Sequence, residues 1–122
     1  MTRIDLPWPR PTIALNDSHG NRFAEAAGRK RVRTEARWAI RASGVAPVQT
    51  YPVAVTLHWR IPDRRLRDAD RLHKVAKGVT DALVDEGVLA ADDWRYVRRA
   101  ASEIHPPEPG KPGAMWVEVS AA

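Results

Sequence analysis

The sequence of 122 residues contains no cysteine. Disulfides, thiolate metal sites and thiol catalysis are therefore excluded, and an intracellular protein is expected. No apolar run is long enough to span a bilayer, and the opening MTRIDLPWPRP lacks the apolar core of a secretion signal. We therefore expect a single domain over residues 1–122 that works in the cytoplasm and has no membrane partner.

Acidic residues are the minority among the charged ones. The chain has 15 Asp and Glu against 20 Lys and Arg, a formal net charge of +5, and most of the basic residues are arginines. A guanidinium can bind two phosphate oxygens at once, and excess positive charge favours a polyanionic partner such as nucleic acid. Composition alone does not separate this interpretation from a basic protein that binds no nucleic acid.

Hydrophobic periodicity predicts six elements in the order strand, helix, strand, helix, strand, strand. The fold class is therefore α/β (mixed α+β), one domain with a mixed sheet and two main helices. The predicted ranges are an extended edge strand or arm over 4–15, a helix over 21–43, a strand over 51–62, a helix over 70–86, a strand over 94–104 and a strand over 115–119.

The strand YPVAVTLHWRIP alternates cleanly, with Val53, Val55, Leu57 and Trp59 on one face. In the first helix the apolar stripe is Val32, Ala36, Ala39 and Ile40, and in the second it is Leu72, Val75, Ala76, Val79 and Leu83. A second stripe of the first helix consists of arginines at i, i+4 spacing, Arg33, Arg37 and Arg41. It is either a solvated face or a ridge that contacts phosphates, and the sequence supports both equally.

Acidic residues stand at both ends of the second predicted helix. Asp68 and Asp70 precede it and Asp92 and Asp93 follow it. Each has an ordinary structural explanation as a helix cap, a turn residue or a partner of a nearby lysine. Together they also suit a metal site, because crowded carboxylates repel unless a cation lies among them. A set of hard oxygen ligands favours Mg²⁺ or Mn²⁺, and the arginines beside them would then bind phosphate.

The stretch PDRRLRDADRLHKVAKGVTDALVDEGVLAADD, residues 62–93, resembles the signature of the RusA-like Holliday junction resolvases of phages and prophages. That signature is Asp-x-Asp-Asn-Leu, a lysine four residues after the second Asp, then Asp-Ala-Leu and, about ten residues on, paired acids. The matching residues here are Asp68, Asp70, Leu72, Lys74, Asp81, Ala82, Leu83, Asp92 and Asp93. The opening LPWPRP is also similar to the family's proline-rich start.

The resemblance implies a homodimeric, magnesium-dependent endonuclease that nicks four-way DNA junctions symmetrically. It implies that Asp68, Asp70 and Asp93 are catalytic acids that bind the metal, and that Lys74 is the essential lysine. One position departs from the pattern, since Arg71 stands where the family has asparagine. The residues expected to contact DNA phosphates are Arg33, Arg37, Arg41, Arg64, Arg65, Arg67 and Arg71.

Two alternatives stay open from the sequence. One is a related nuclease that acts on flaps, forks or RNA. The other is a basic binding module without catalysis, in which the acids are only caps and turns. A junction resolvase must cut two strands, and a chain with one acid cluster supplies one active site, so we expect a two-fold dimer. The proline-rich N-terminal arm and Trp116 are the predicted contributors to its interface.

Overall fold

The computed structural model describes residues 1–11, 22–68 and 72–122, and confirms the predicted fold class and element order. Two helices and a four-stranded mixed sheet form one small domain. The elements are β1 (Thr2–Leu6), α1 (Arg22–Ser43), β2 (Val53–Arg60), α2 (His73–Asp85), β3 (Val97–His105) and β4 (Ala114–Ala121). Neither helix in these ranges is long and apolar enough to cross a membrane.

The sheet has the strand order β1-β4-β2-β3. β4 pairs antiparallel with both β1 and β2, whereas β2 and β3 are parallel neighbours. Parallel neighbours need a crossover connection, and α2 supplies it. The predicted edge position of the N-terminal strand is confirmed, because β1 lies at one edge of the sheet.

The alternation predicted for β2 is confirmed. Its odd-numbered residues join the hydrophobic core with the apolar stripes of both helices, and Trp59 is only 2% exposed. Burying one large apolar side chain contributes about 1.5–3 kcal/mol, so this single strand anchors much of the core. The even-numbered residues of β2 lie on the other sheet face and include Thr56 and Arg60, which are half-buried.

Two element boundaries differ from the prediction near the acids. α2 begins at His73, three residues later than predicted, with Leu72 at the N-cap position. β3 begins at Val97, three residues later than predicted. The backbone carbonyl of Asp93 accepts hydrogen bonds from the N–H groups of Tyr96 and Val97, each 2.9 Å long. The residues just after the acid pair therefore form a turn, and the strand starts only beyond it.

The two helices touch where α2 has a glycine. A Cβ atom built on Gly78 would lie 2.8 Å from Cγ1 of Val32, which is fully buried in α1. Real Cβ atoms essentially never approach this closely, and a valine in a helix has little χ1 freedom with which to move away. Gly78 is therefore required for the close approach of α1 and α2.

We expect Gly78→Ala to lower the free energy of unfolding by up to about 2 kcal/mol, since overpacking costs about 1–3 kcal/mol and alanine's helix propensity returns about 1 kcal/mol of it. Urea unfolding measures the change. In a Val32→Ala background the same substitution should cost much less, because the clashing methyl group is gone. Equal losses in both backgrounds would show that the two residues do not meet.

Candidate functional site

The loop between β2 and α2 is held by one buried arginine. The Arg67 side chain is only 10% exposed, and it donates to the Asp63 carboxylate at 2.8 Å and to the backbone carbonyls of Asp63 and Arg65 at 3.0 and 2.8 Å. Its guanidinium also lies 5.4 Å from the centre of the Trp59 ring. These contacts make Arg67 a structural part of the loop. Of the arginines that the structure describes in this loop, Arg64 and Arg65 are exposed.

Asp63 is the acid that organises this loop. Its carboxylate accepts the backbone N–H of Arg65 at 3.0 Å besides the bond from Arg67, and these hydrogen bonds hold the pKa of Asp63 below its usual range. Asp68 follows at the end of the loop with an exposed side chain. Because Leu72 occupies the N-cap position of α2, Asp68 is not the cap of that helix. The loop thus presents the Asp68 carboxylate to solvent.

Two of the predicted residues lie outside the described residues, namely Asp70 and Arg71. The predicted essential lysine, Lys74, is the second residue of α2 and is half-buried. It is within contact of other groups of the chain. Lys74 therefore lies at the start of α2, six residues along the chain from Asp68, the nearest acid among the described residues.

A lysine of α2 binds one member of the second acid pair, Asp92. The ammonium of Lys77 donates to the carboxylate of Asp81 at 3.0 Å and to that of Asp92 at 3.1 Å. These hydrogen bonds raise the pKa of Lys77 above its usual range. Lys77 stands only about 6 Å along the helix axis from the first residue of α2, at 1.5 Å per residue. Asp92 is thereby held beside α2 at the level of Lys77 and Asp81.

Asp93, in contrast, accepts hydrogen bonds from a residue of its own turn. Its two carboxylate oxygens accept from Nε and Nη2 of Arg95 at 3.0 Å each, and one of them also accepts the Arg95 backbone N–H at 3.0 Å. These hydrogen bonds hold the pKa of Asp93 below its usual range, so it is ionised at neutral pH. A cation that binds Asp93 has to displace or share the guanidinium of Arg95. No described contact joins Asp93 to Asp68.

A cleft of about 400 Å³ opens beside these residues, between α2 and the strands β2 and β3. It exists because β3 turns small side chains, Ala100 and Ser102, toward the helical side of the sheet. Its lining combines buried apolar residues such as Leu57 with exposed polar ones, and Asp92 is the member of the acid pair that borders it. The other polar lining residues are His73, Lys77, Thr80 and Ser102.

The arginine stripe of α1 is paired with the end of α2. Arg33 makes two hydrogen bonds to Asp85, one of 2.7 Å. Arg37 and Arg41 both bond to Glu86, with Nε to carboxylate distances of 2.9 Å. The bonds from Arg41 and Arg37 hold the pKa of Glu86 below its usual range, and that from Arg33 does the same for Asp85. The stripe is therefore ion-paired to acids of the chain, although each arginine side chain keeps 45% or more of its surface exposed.

Several residues with clear chemistry were not singled out from the sequence. Arg98 and Arg99 are exposed at the start of the edge strand β3. On the opposite sheet face, His58, Glu103 and His105 bring three atoms of ligand type within 4.8 Å of one another, the one such group of three among the described residues. For this group of three, the available sequence signal was the i, i+2 spacing of Glu103 and His105 in a strand.

A scan against protein-family models and a search of curated proteins found no match to this chain. Family membership therefore stays the expectation that the motif over residues 62–93 raises.

Glu86 should govern part of the acid sensitivity of the fold. A carboxylate with a lowered folded pKa stabilises the protein above its unfolded pKa, and that contribution is lost as the pH falls through the folded value. We therefore expect Glu86→Gln to lower the melting temperature at pH 7 and to flatten the loss of stability below about pH 4.3, the ordinary glutamate value. Thermal melts from pH 7 to pH 2 measure both effects.

The control is Asp5→Asn, which removes a carboxylate on β1 that is 78% exposed and lies between the buried residues Ile4 and Leu6. It should leave the acid profile close to that of the wild type. An unchanged profile in Glu86→Gln would mean that its ion pairs with α1 do not persist in solution.

Proposed function

We propose that this protein is a magnesium-dependent, structure-specific DNA endonuclease that resolves four-way junctions by paired nicks, in the manner of the RusA-like resolvases of phages and prophages. The observation that carries the proposal is the 3.1 Å contact between Lys77 and Asp92. It supports the expectation that the acids on the two sides of α2 share one site. The motif that raised the expectation thus falls on one structural unit, the loop, helix and turn of the crossover.

The candidate ligands are carboxylates, which suits a hard cation such as Mg²⁺, with Mn²⁺ as a substitute. Asp68, Asp70 and Asp93 would hold the ion, and Asp92, which borders the cleft, would assist them. When bound, the ion would supply a nucleophilic water and offset charge on the phosphate oxygens. The P–O bond that breaks leaves its electron pair on a sugar oxygen, which takes up a proton.

Lys74 would act on the phosphate from the first turn of α2. A fixed ammonium beside a phosphodiester stabilises the charge that develops on its oxygens during attack, and it therefore acts more on turnover than on binding. Lys77, one turn further on, is already engaged by Asp81 and Asp92. We assign to Lys77 the role of positioning Asp92.

The exposed arginines nearest this unit would bind the DNA backbone. Arg64 and Arg65 on the loop, and Arg98 and Arg99 on β3, are exposed. Each phosphate contact adds about 0.9 to the slope of log affinity against log salt on duplex DNA. The stripe on α1 can add contacts through its exposed guanidinium edges, but with charge partly offset by Asp85 and Glu86. Arg67 serves the loop.

Two cuts at opposed positions call for two copies of a site that one chain holds once, so the active form would be a homodimer acting on DNA in the host cytoplasm. The predicted interface residues are mostly occupied within the chain. Trp8 of the N-terminal arm is 5% exposed and Trp116 is 8% exposed. The large apolar side chains that remain exposed in the described ranges are Met1, Trp38, Leu66 and Trp94.

A second candidate function is a binding module for branched nucleic acid without catalysis. It is favoured by one observation, that Asp92 and Asp93 are both neutralised by cations of the chain itself, Lys77 and Arg95. In that case the acids need no metal ion. Nucleases for flaps, forks or RNA would share the site of the first proposal and differ in substrate.

Asp70→Asn is expected to abolish cleavage of a labelled four-way junction in Mg²⁺ while leaving junction binding intact or tighter. Asparagine keeps the shape of the side chain and removes the charge that holds the cation. Cleavage and gel-shift assays on the same preparation measure the two properties. Asp5→Asn, a matched loss of one carboxylate far from α2, is the control and should cut normally. Wild-type cleavage by Asp70→Asn would remove the basis of the proposed mechanism.

Arg95 should tune the metal requirement if Asp93 is a ligand. Arg95→Ala frees both oxygens of Asp93, so the Mg²⁺ concentration that gives half-maximal cleavage should fall severalfold. Asp93→Asn should abolish cleavage in either background. Titrations of Mg²⁺ against the initial rate measure the effect. An Arg95→Ala protein with unchanged Mg²⁺ dependence, together with an active Asp93→Asn protein, would transfer the ligand role to Asp92.

A further inference from the structure

The sheet face that the helices leave uncovered carries a compact group of polar residues. His58 lies on this face of β2, yet it is only 7% exposed. Across the sheet its register partners are Glu103 on β3 and Trp116 on β4. The Trp116 ring stacks on the rings of His58 and His105 with centroids 5.2 Å apart in both cases. Arg3 covers the indole, its guanidinium carbon 4.3 Å from the ring centroid. Both imidazoles are thereby held in fixed orientations.

The ligand atoms of this group converge on one point. Nδ1 of His58 lies 2.8 Å from Nε2 of His105, and a carboxylate oxygen of Glu103 lies 3.4 Å from the first nitrogen and 3.8 Å from the second. Atoms that bind a zinc ion at 2.0–2.1 Å in a tetrahedron lie roughly 3.3 Å from one another. The three observed separations bracket that value, so small side-chain adjustments suffice to place an ion between them.

The surroundings of the second ring nitrogen of His58 also suit a metal site. Its Nε2 is buried and makes no hydrogen bond within the described residues. A carboxylate oxygen of Glu118 lies 3.2 Å away, close enough for an ion pair but not aligned for a hydrogen bond. An ion on Nδ1 would fix the proton on Nε2, facing that carboxylate. Histidine ligands of metals characteristically donate their second N–H to such a carboxylate.

We propose that His58 Nδ1, His105 Nε2 and the Glu103 carboxylate form a binding site for a transition-metal ion of the zinc type, with Glu118 orienting His58. Imidazole nitrogens suit Zn²⁺ and its neighbours, whereas Mg²⁺ prefers oxygen ligands, so this site is distinct in chemistry from the acids around α2. Three protein ligands leave one tetrahedral position for water. Because His58 belongs to β2 and the other two ligands to β3, the ion would cross-link the edge strand to the sheet.

The test is Zn²⁺ binding to the metal-free full chain by calorimetry, with Co²⁺ absorption as a probe of tetrahedral coordination. We expect one Zn²⁺ bound through this site and a rise in melting temperature. His105→Ala should weaken Zn²⁺ binding by more than tenfold and remove the Co²⁺ spectrum, and since His105 is half-exposed the fold should tolerate the change. Glu118→Gln should weaken binding by about tenfold or more, the usual effect of losing such a partner.

The matched control is Glu108→Gln, an exposed carboxylate in the neighbouring loop that pairs with Lys111 at 2.7 Å. It should bind Zn²⁺ like the wild type. The proposal is overturned if the wild type gives no Co²⁺ spectrum, or if His105→Ala binds Zn²⁺ as tightly as Glu108→Gln does. Asp70→Asn should keep the Co²⁺ spectrum and the Zn²⁺ affinity, so loss of nuclease function leaves this result unaffected.

Discussion

The β2–α2–β3 crossover is the constraint on which the rest of the structure depends. Because β2 and β3 are parallel, the chain has to return along the sheet between them. α2 forms this crossover connection, and its buried side packs on the core. The loop before the helix and the turn after it are then brought to the same helix, where Lys77 joins the turn to the first half of α2. Every acid of the candidate active site belongs to this one connection.

Ion pairs within the chain offset part of the positive charge of this basic protein. The net charge is +5, but the arginines of α1 and Arg67 are matched to acids nearby. Among the described residues, exposed arginines without such close partners include Arg64 on the loop and Arg98 and Arg99 at the start of β3.

Much of the fold could be predicted from the sequence because local patterns encode it. Strict alternation in β2 predicts its buried face, and the apolar stripes predict the helix faces. The partners of the arginine stripe could not be predicted, since Arg37 and Glu86 are 49 residues apart and meet only when α1 packs on Gly78 of α2. Strand direction was also not encoded locally, and it decides which end of β3 meets β2.

The contacts on the polar face of the sheet could not be predicted from the sequence. Alternation correctly assigned His58 to the face away from the core, where a solvated side chain is the ordinary outcome. Its burial depends on Trp116 from β4 and His105 from β3, which the sheet order alone brings to it. In contrast, the Asp93–Arg95 pair joins residues two apart and depends only on the local turn. Contacts within a turn depend on residues close in the chain, whereas contacts between elements depend on the strand order of the sheet.

The central claim, paired cutting of a four-way junction, is tested most directly on a supercoiled plasmid that extrudes a cruciform. A single nick releases the supercoiling and the junction with it, so linear plasmid forms only if both strands are cut within one binding event. With wild-type protein and Mg²⁺ we expect linear plasmid as the main product, and no cleavage in EDTA. Intact plasmid in Mg²⁺, from protein that still binds the junction in a gel shift, would contradict the claim and favour the non-catalytic binding module.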